Sequence, residues 1–273
     1  MIDLEGFLVR PCMPRLRVDD AGGPGLPVVF QHGLCGSAAQ PAEVFPQESG
    51  FRRVTLEFRG HGASEPGDPS NFSIATFADD TAALIEELDC GPVVAGGISM
   101  GAAIAMRLAV TRPELVRGLI IARPAWSFSA APANMASNAE VAFCLERYPP
   151  EEARARFAES ATAIELAVDG PDNLATLMGF FSRQPVDVTA ALLSAIAADG
   201  PGVTGNDLEI LSIPTLVIGH DKDVIHPLRL AEELAALIPN AKLVRITSKS
   251  EDRARYVADM RSALTNFLKG HFP

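Results

Sequence analysis

Val93-Val94-Ala95-Gly96-Gly97-Ile98-Ser99-Met100-Gly101 joins a short apolar run to a Gly-x-Ser-x-Gly turn, and a helix-forming run from Ala102 to Val110 follows at once. Strand, sharp turn and helix in that order lift a serine hydroxyl above the end of a sheet and set it beside a helix N-terminus. Gly97 and Gly101 are needed because a side chain at either place would crowd so tight a turn. The stretch therefore presents Ser99 as a nucleophile. A serine hydroxyl is weak by itself and requires a base, most often an oriented histidine.

Outward from this turn, short β-type runs alternate with helical patterns. Val28-Val29-Phe30 reads as a strand leading into His32-Gly33-Leu34-Cys35-Gly36. A second strand, Val54 to Phe58, leads into Arg59-Gly60-His61-Gly62. Ile74 to Leu88 has helical spacing, with Ile74, Phe77, Leu84, Ile85 and Leu88 on one face. Leu119-Ile120-Ile121-Ala122 is a buried strand that Arg123-Pro124 ends. From about Trp126 to Val203 the pattern is helical, clearest over 151–167 and 188–198. Alternation resumes with Pro214 to Gly219, a helix over 228–237, a strand over 242–246 and a last helix over about 253–268. Runs near Phe7–Val9 and Leu16–Val18 suggest an antiparallel start to the sheet.

Continuous apolar strands separated by helices predict an α/β fold with a mainly parallel sheet covered on both faces. The helical stretch 126–205 is then a lid inserted into a core of residues 1–125 and 206–273, emerging at the carboxyl edge of the sheet where ligands bind.

Composition narrows the function classes. The chain has 273 residues, 48% hydrophobic and 21% charged, enough for one large domain, or a domain with an insertion, around an ample core. No apolar run approaches the roughly 20 residues that span a bilayer. The start, Met1-Ile2-Asp3-Leu4-Glu5, is acidic where a signal peptide is basic, so the expected location is cytoplasmic. The four cysteines, Cys12, Cys35, Cys90 and Cys144, are scattered and form neither a metal-type pair nor a disulfide framework. A formal charge of −11 repels phosphate backbones, which removes nucleic acid as an expected partner. The expected partner is a small-molecule substrate or ligand, with no cofactor and no metal. The sequence does not indicate an oligomeric state.

Taken together, His32-Gly33, Arg59-Gly60-His61-Gly62-Ala63-Ser64, Gly97-Ile98-Ser99-Met100-Gly101 and the loop 219–227, in that order and at the ends of the expected strands, resemble the α/β-hydrolase superfamily over nearly the whole chain. The resemblance implies an oxyanion hole built from the N–H groups of Leu34 and Met100, each donor worth about 3–4 kcal/mol in enzymes of this chemistry. It places the triad acid at Asp223 in Gly219-His220-Asp221-Lys222-Asp223-Val224-Ile225-His226-Pro227, with Asp221 as runner-up. Some relatives carry the acid one strand earlier, but here that place is Arg123-Pro124-Ala125-Trp126, without a carboxylate. A serine at the elbow argues against relatives that use aspartate there, the haloalkane dehalogenases and epoxide hydrolases.

The resemblance breaks at the histidine. The family carries it between the last strand and the last helix, where this chain has Thr247-Ser248-Lys249-Ser250-Glu251-Asp252-Arg253, with Ser250 or Glu251 at the histidine position. Of the five histidines, His32 and His61 match mainly structural positions. His226 precedes a proline where relatives often carry a histidine with no base role, and His271 lies beyond the last helix. The expectation is a member without the usual catalytic histidine. Three explanations stand: another base serves (Lys249 with a depressed pKa, Glu251 with a raised one, or His220 or His226 from the acid loop); the protein binds a small molecule without turnover, as a sensor does; or its chemistry needs no triad. The leading expectation is a hydrolase of a small ester, lactone or related carbonyl compound with an incomplete or non-standard triad. Trp126, the only tryptophan, is expected to line the pocket or anchor the lid. Cys35 reads as a buried filler. Phe128, Met135, Phe143, Met178, Phe180 and Phe181 make the lid apolar and hint at an apolar acyl or alkyl group.

Overall fold

The computed structural model describes residues 1–47 and 50–273. Among the described residues, eight strands form one sheet: β1 (Phe7–Leu8), β2 (Leu16–Asp20), β3 (Leu26–Gln31), β4 (Phe51–Leu56), β5 (Val93–Ile98), β6 (Val116–Ala122), β7 (Thr215–Gly219) and β8 (Ala241–Arg245). Their spatial order is β1-β2-β4-β3-β5-β6-β7-β8, and the strands from β4 to β8 run parallel. β2 is antiparallel to both β1 and β4, the expected antiparallel start.

Helices α1 (Ala39–Val44), α2 (Ile74–Leu88) and α3 (Met100–Thr111) alternate with the first strands. Between β6 and β7 the chain is helical: α4 (Ala136–Arg147), α5 (Pro150–Ala158), α6 (Ala161–Asp169), α7 (Pro171–Phe180), α8 (Val186–Ala197) and α9 (Gly205–Glu209). α10 (Leu228–Leu237) and α11 (Arg253–His271) complete the described helices. The single helix read over 151–167 is in fact two. Ser160 breaks it because its side chain accepts the Ala163 N–H and starts α6 as an N-cap.

The period of two along each strand sorts the core into two layers. Val29, Val93, Ala95, Leu119, Ile121 and Val217 pack toward α2 and α3. Their neighbours Val28, Val94, Ile120, Leu216 and Ile218 pack with Val44 of α1 and with Met260, Leu264 and Leu268 of α11. Both faces are therefore covered, and the central strand β5 is buried along its whole length. The apolar contacts of the inserted helices, such as Val141, Leu177 and Leu192, run into the first of these layers without a break. No helix among the described residues is long and apolar enough to cross a membrane.

Candidate active site

Register brings the chemistry to one edge. Gln31 pairs with Gly97, Ile98 with Ala122, and Ala122 with Ile218. The residues just beyond these pairs, 32–36, Ser99, Arg123 and 220–227, therefore converge at the carboxyl ends of the parallel strands. Ser99 holds the turn at φ 57° and ψ −113°, a strained conformation that such a nucleophile turn requires. A Cβ on Gly97 would lie 2.5 Å from the Gly101 carbonyl carbon, and one on Gly101 would lie 2.6 Å from the Gln31 oxygen. Neither glycine has room for a side chain.

The partner of Ser99 comes from the loop after β7. His226 Nε2 lies 2.8 Å from Ser99 Oγ. On the other side of the ring, His226 Nδ1 lies 2.9 Å and 3.0 Å from the two carboxylate oxygens of Asp223. The imidazole stands three positions after the acid, and the turn between them is closed by the His226 N–H donating to Asp223 Oδ1 at 3.0 Å. Pro227 then opens α10. Both side chains are secluded, Asp223 at 2% and His226 at 11% exposure.

Asp223 is held by a shell of donors. Arg123 gives Nε and Nη2 to Oδ2 at 3.0 Å and 2.6 Å. Asn173 of α7 gives Nδ2 to Oδ1 at 2.8 Å, and its own Oδ1 accepts the Val224 N–H at 2.9 Å. Burial works against the Asp223 charge, but His226 and Arg123 outweigh it and hold the carboxyl well below its usual range. The same burial pushes His226 down; Asp223 opposes this and Arg123 reinforces it. The ring is therefore neutral near pH 7. A carboxylate only accepts, so Nδ1 carries the proton and Nε2 turns its lone pair to Ser99. Arg123 Nη2 also lies 3.2 Å from Nδ1, but the two nearer carboxylate oxygens decide the tautomer.

The last loop offers no comparable group. Glu251 is exposed and paired with Lys222 at 2.5 Å, and that hydrogen bond lowers its pKa, the opposite of what a base there needs. Ser250 shares a hydrogen bond with Ser248 at 2.9 Å. Lys249 lies 3.3 Å from Asp172 and lines the Ser99 cavity, but the serine hydroxyl faces His226. Asp221, the runner-up acid, is exposed. His220 is buried, and among the described residues its Nε2 has no hydrogen-bond partner; it lies 3.6 Å from Asp223 Oδ2, which is too long for a hydrogen bond. An imidazole three positions past the acid in the tight loop 223–226 is a sequence signal for His226, and comparison with the usual histidine position hid it.

Leu34 and Met100, named as the expected oxyanion donors, follow β3 and Ser99 at the same sheet edge. Among the described residues neither backbone N–H has a protein acceptor, and Met100 is the first residue of α3, whose N–H points out of the helix end. The loop beneath Leu34 is built by buried neutral imidazoles. His61 Nε2 accepts the Cys35 N–H at 3.0 Å, and His32 Nδ1 is 2.8 Å from the Gly33 oxygen. Burial pushes His32 down to about 4 and the Cys35 thiol up to about 12, so neither is poised to react.

Trp126 does not line the cavity. It is fully buried, and its Nε1 donates to the Asp199 oxygen at 2.9 Å, tying the exit of β6 to the end of α8. The size and polar handle of an indole suit such an anchor. Of the apolar residues expected to shape the pocket, Met135 and Phe180 border the Ser99 cavity, while Phe128 and Phe143 are exposed. Leu34, Ile98 and Ile225 complete the apolar wall of a narrow cavity of about 90 Å³; Asn138, Thr176 and Lys249 are among its polar members. A wider cleft of about 570 Å³ adjoins it, sharing Leu34, Gln40, Thr176 and Phe180.

The chain has known relatives. The family model described as alpha/beta hydrolase fold matches residues 27–249. A putative non-heme bromoperoxidase of Mycobacterium tuberculosis is 32% identical over 245 residues, covering 86% of this chain and 89% of the relative. A thermophilic esterase from Thermogutta terrifontis superposes with a TM-score of 0.69 at 25% identity, covering 96% and 97% of the two chains. An enol-lactonase from Burkholderia xenovorans gives a TM-score of 0.70 at 20% identity, covering 94% and 97%, a likeness of fold. With the elbow, the sheet order and a family match spanning most of its length, this chain belongs to the alpha/beta hydrolase family.

Proposed function

We propose that the protein is an esterase-like hydrolase of small esters or lactones, with Ser99 as nucleophile, His226 as general base and acid, and Asp223 as the carboxylate that orients it. The observation that carries this reading is the 2.8 Å approach of His226 Nε2 to Ser99 Oγ, in line with a buried, ionised Asp223. It supplies a base where the last loop offers none, the gap that kept binding without turnover open as an alternative. The names of similar proteins, an esterase and an enol-lactonase among them, point to the same chemistry.

In this reading Ser99 Oγ attacks the substrate carbonyl carbon as its proton passes to His226 Nε2. Negative charge gathers on the carbonyl oxygen, where the N–H groups of Leu34 and Met100 receive it. Asp223 stabilises the imidazolium through Nδ1–H without taking the proton. The tetrahedral centre collapses, the bond to the leaving oxygen breaks, and His226 returns the proton to that oxygen. Water, deprotonated by the same nitrogen, then frees the acid from Ser99. The helices between β6 and β7 act as a lid: α4 and α7 carry cavity residues, and their packing keeps water from the ion pair beneath.

Ser99-dependent turnover of p-nitrophenyl acetate, with covalent labelling by a fluorophosphonate probe that Ser99→Ala abolishes, is the expected result. Equal turnover by Ser99→Ala, or no labelling of the native protein, would refute the assignment.

A further inference from the structure

Two asparagines line the Ser99 cavity, each 4% exposed, and they differ in one respect. Asn173 spends both amide atoms on the catalytic loop, giving Nδ2 to Asp223 and accepting from the Val224 N–H. Asn138, on α4, has a buried Oδ1 without a partner, and among the described residues its side chain makes no hydrogen bond at all. A buried amide left unmatched is destabilising, and such a group in a cavity wall is most simply explained by a ligand that completes it. Either end of the amide can be presented by a half-turn of the side chain, since no protein group holds it.

The second unused group is Lys249. The serine has its base in His226, so the ammonium has no part in the proton transfer. Its one carboxylate neighbour among the described residues, Asp172 Oδ2 at 3.3 Å, leaves further N–H donors for a ligand, and its side chain is 29% exposed at the cavity wall. Arg123, the other cation bordering the cavity, is committed to Asp223. Leu34, Ile98, Met135, Phe180 and Ile225 supply the apolar part of the wall, Gln40 and Thr176 are further polar members, and the space is about 90 Å³, well below the roughly 300–1,000 Å³ of ordinary ligand pockets.

Resting on the serine-hydrolase reading, we propose that this cavity accepts the acid part of a short ester or lactone that carries a second carboxylate, received by the Lys249 ammonium and the Asn138 amide. A carboxylate has enough acceptor sites for both donors, and the narrow cavity admits a chain of a few carbons only. Sites built around a polar substrate group reject analogues that lack it more strongly than apolar sites reject a missing methylene, because the protein's own polar groups are then stranded.

The test compares monomethyl succinate with methyl 4-methylpentanoate, in which a branched alkyl end replaces the carboxylate at nearly equal size. Methanol release is followed for both, and p-nitrophenyl acetate serves as a general substrate. The expected kcat/KM ratio favours monomethyl succinate by about tenfold or more. Lys249→Met and Asn138→Leu should each lower that ratio severalfold or more, and Lys249→Arg should largely retain it. A native ratio near or below one, or a ratio untouched by Lys249→Met, overturns the proposal while leaving Ser99-dependent hydrolysis of p-nitrophenyl acetate intact. If that ester too is left unhydrolysed and Ser99 is unlabelled, the hydrolase reading fails and this proposal falls with it.

Discussion

Two neighbouring loops leave the carboxyl edge of the sheet, and they have opposite characters. The loop after β7 turns inward: Asp223 and His220 are buried, and His226 is nearly so. The loop after β8 faces solvent with Glu251 and Asp252, directing Lys249 toward the cavity. The family pattern expects the acid on the first and the histidine on the second. Here the first loop carries both, three residues apart, and the second contributes a cation instead. A triad is defined by where its nitrogen and oxygen atoms stand, so a base can be supplied by another loop if Nε2 still reaches the serine.

Several substitutions would break or sharpen this contrast. The largest effect belongs to the acid of the inward loop. Asp223→Asn removes the acceptor that fixes the imidazole tautomer and should reduce kcat by about 10⁴. It also leaves the Arg123 guanidinium buried without its counter-charge, and urea unfolding should show a loss of about 3–5 kcal/mol. A stability loss without an activity loss would mean that Asp223 is merely structural.

The buried imidazoles make stability fall in mild acid. His32 has its folded pKa pushed down to about 4 by burial, below the unfolded value of 6.5. Between those values the unfolded chain binds more protons, so this contribution is complete above pH 6.5 and is lost progressively as pH falls toward 4. For His32 alone the loss is of order 3 kcal/mol; His61, His220 and His226 are shifted in the same direction. Urea midpoints measured from pH 7 to pH 4 should decline, and a flat profile would contradict the buried, neutral state of these rings.

Arg123 tunes the inward loop more gently. The acid limb of kcat/KM should lie below 6.5, because burial, aided by the Arg123 charge, depresses the His226 pKa. Arg123→Met removes a positive charge beside the ring and frees the Asp223 field, and both changes raise that pKa. The acid limb should move upward; a downward move would place Arg123 outside the electrostatics of the base. The smallest effect is expected where the two loops touch at their exposed rims. Glu251→Gln breaks the Lys222–Glu251 pair, and kcat/KM should stay within about twofold of the native value, since exposed pairs contribute little.

Much of this site was legible in the chain itself. The elbow could be read because Gly97 and Gly101 are dictated by backbone contacts that leave no alternative residue. Asp223 was named from the resemblance, which puts the acid in the loop after a late strand with Asp221 as runner-up, and it is the Asp223 carboxylate that stands beside His226. The sheet could be read from its continuous apolar runs, and its antiparallel edge from two short ones. His226 was named only among several options, because its role depends on how the loop 223–226 folds over Ser99, a tertiary fact. Trp126 misled for a similar reason: an indole at the exit of a strand can face a cavity or a helix end, and only the position of Asp199 decides. The break at Ser160 was hidden by helical spacing that continues across the cap.

The central claim is that the base comes from the loop after β7. It is tested most directly by the kcat/KM of His226→Gln with p-nitrophenyl acetate, measured beside Ser250→His. The account predicts a loss of at least about 10³-fold for His226→Gln and no gain from Ser250→His. Near-native activity in His226→Gln, or a large gain from Ser250→His, would contradict it.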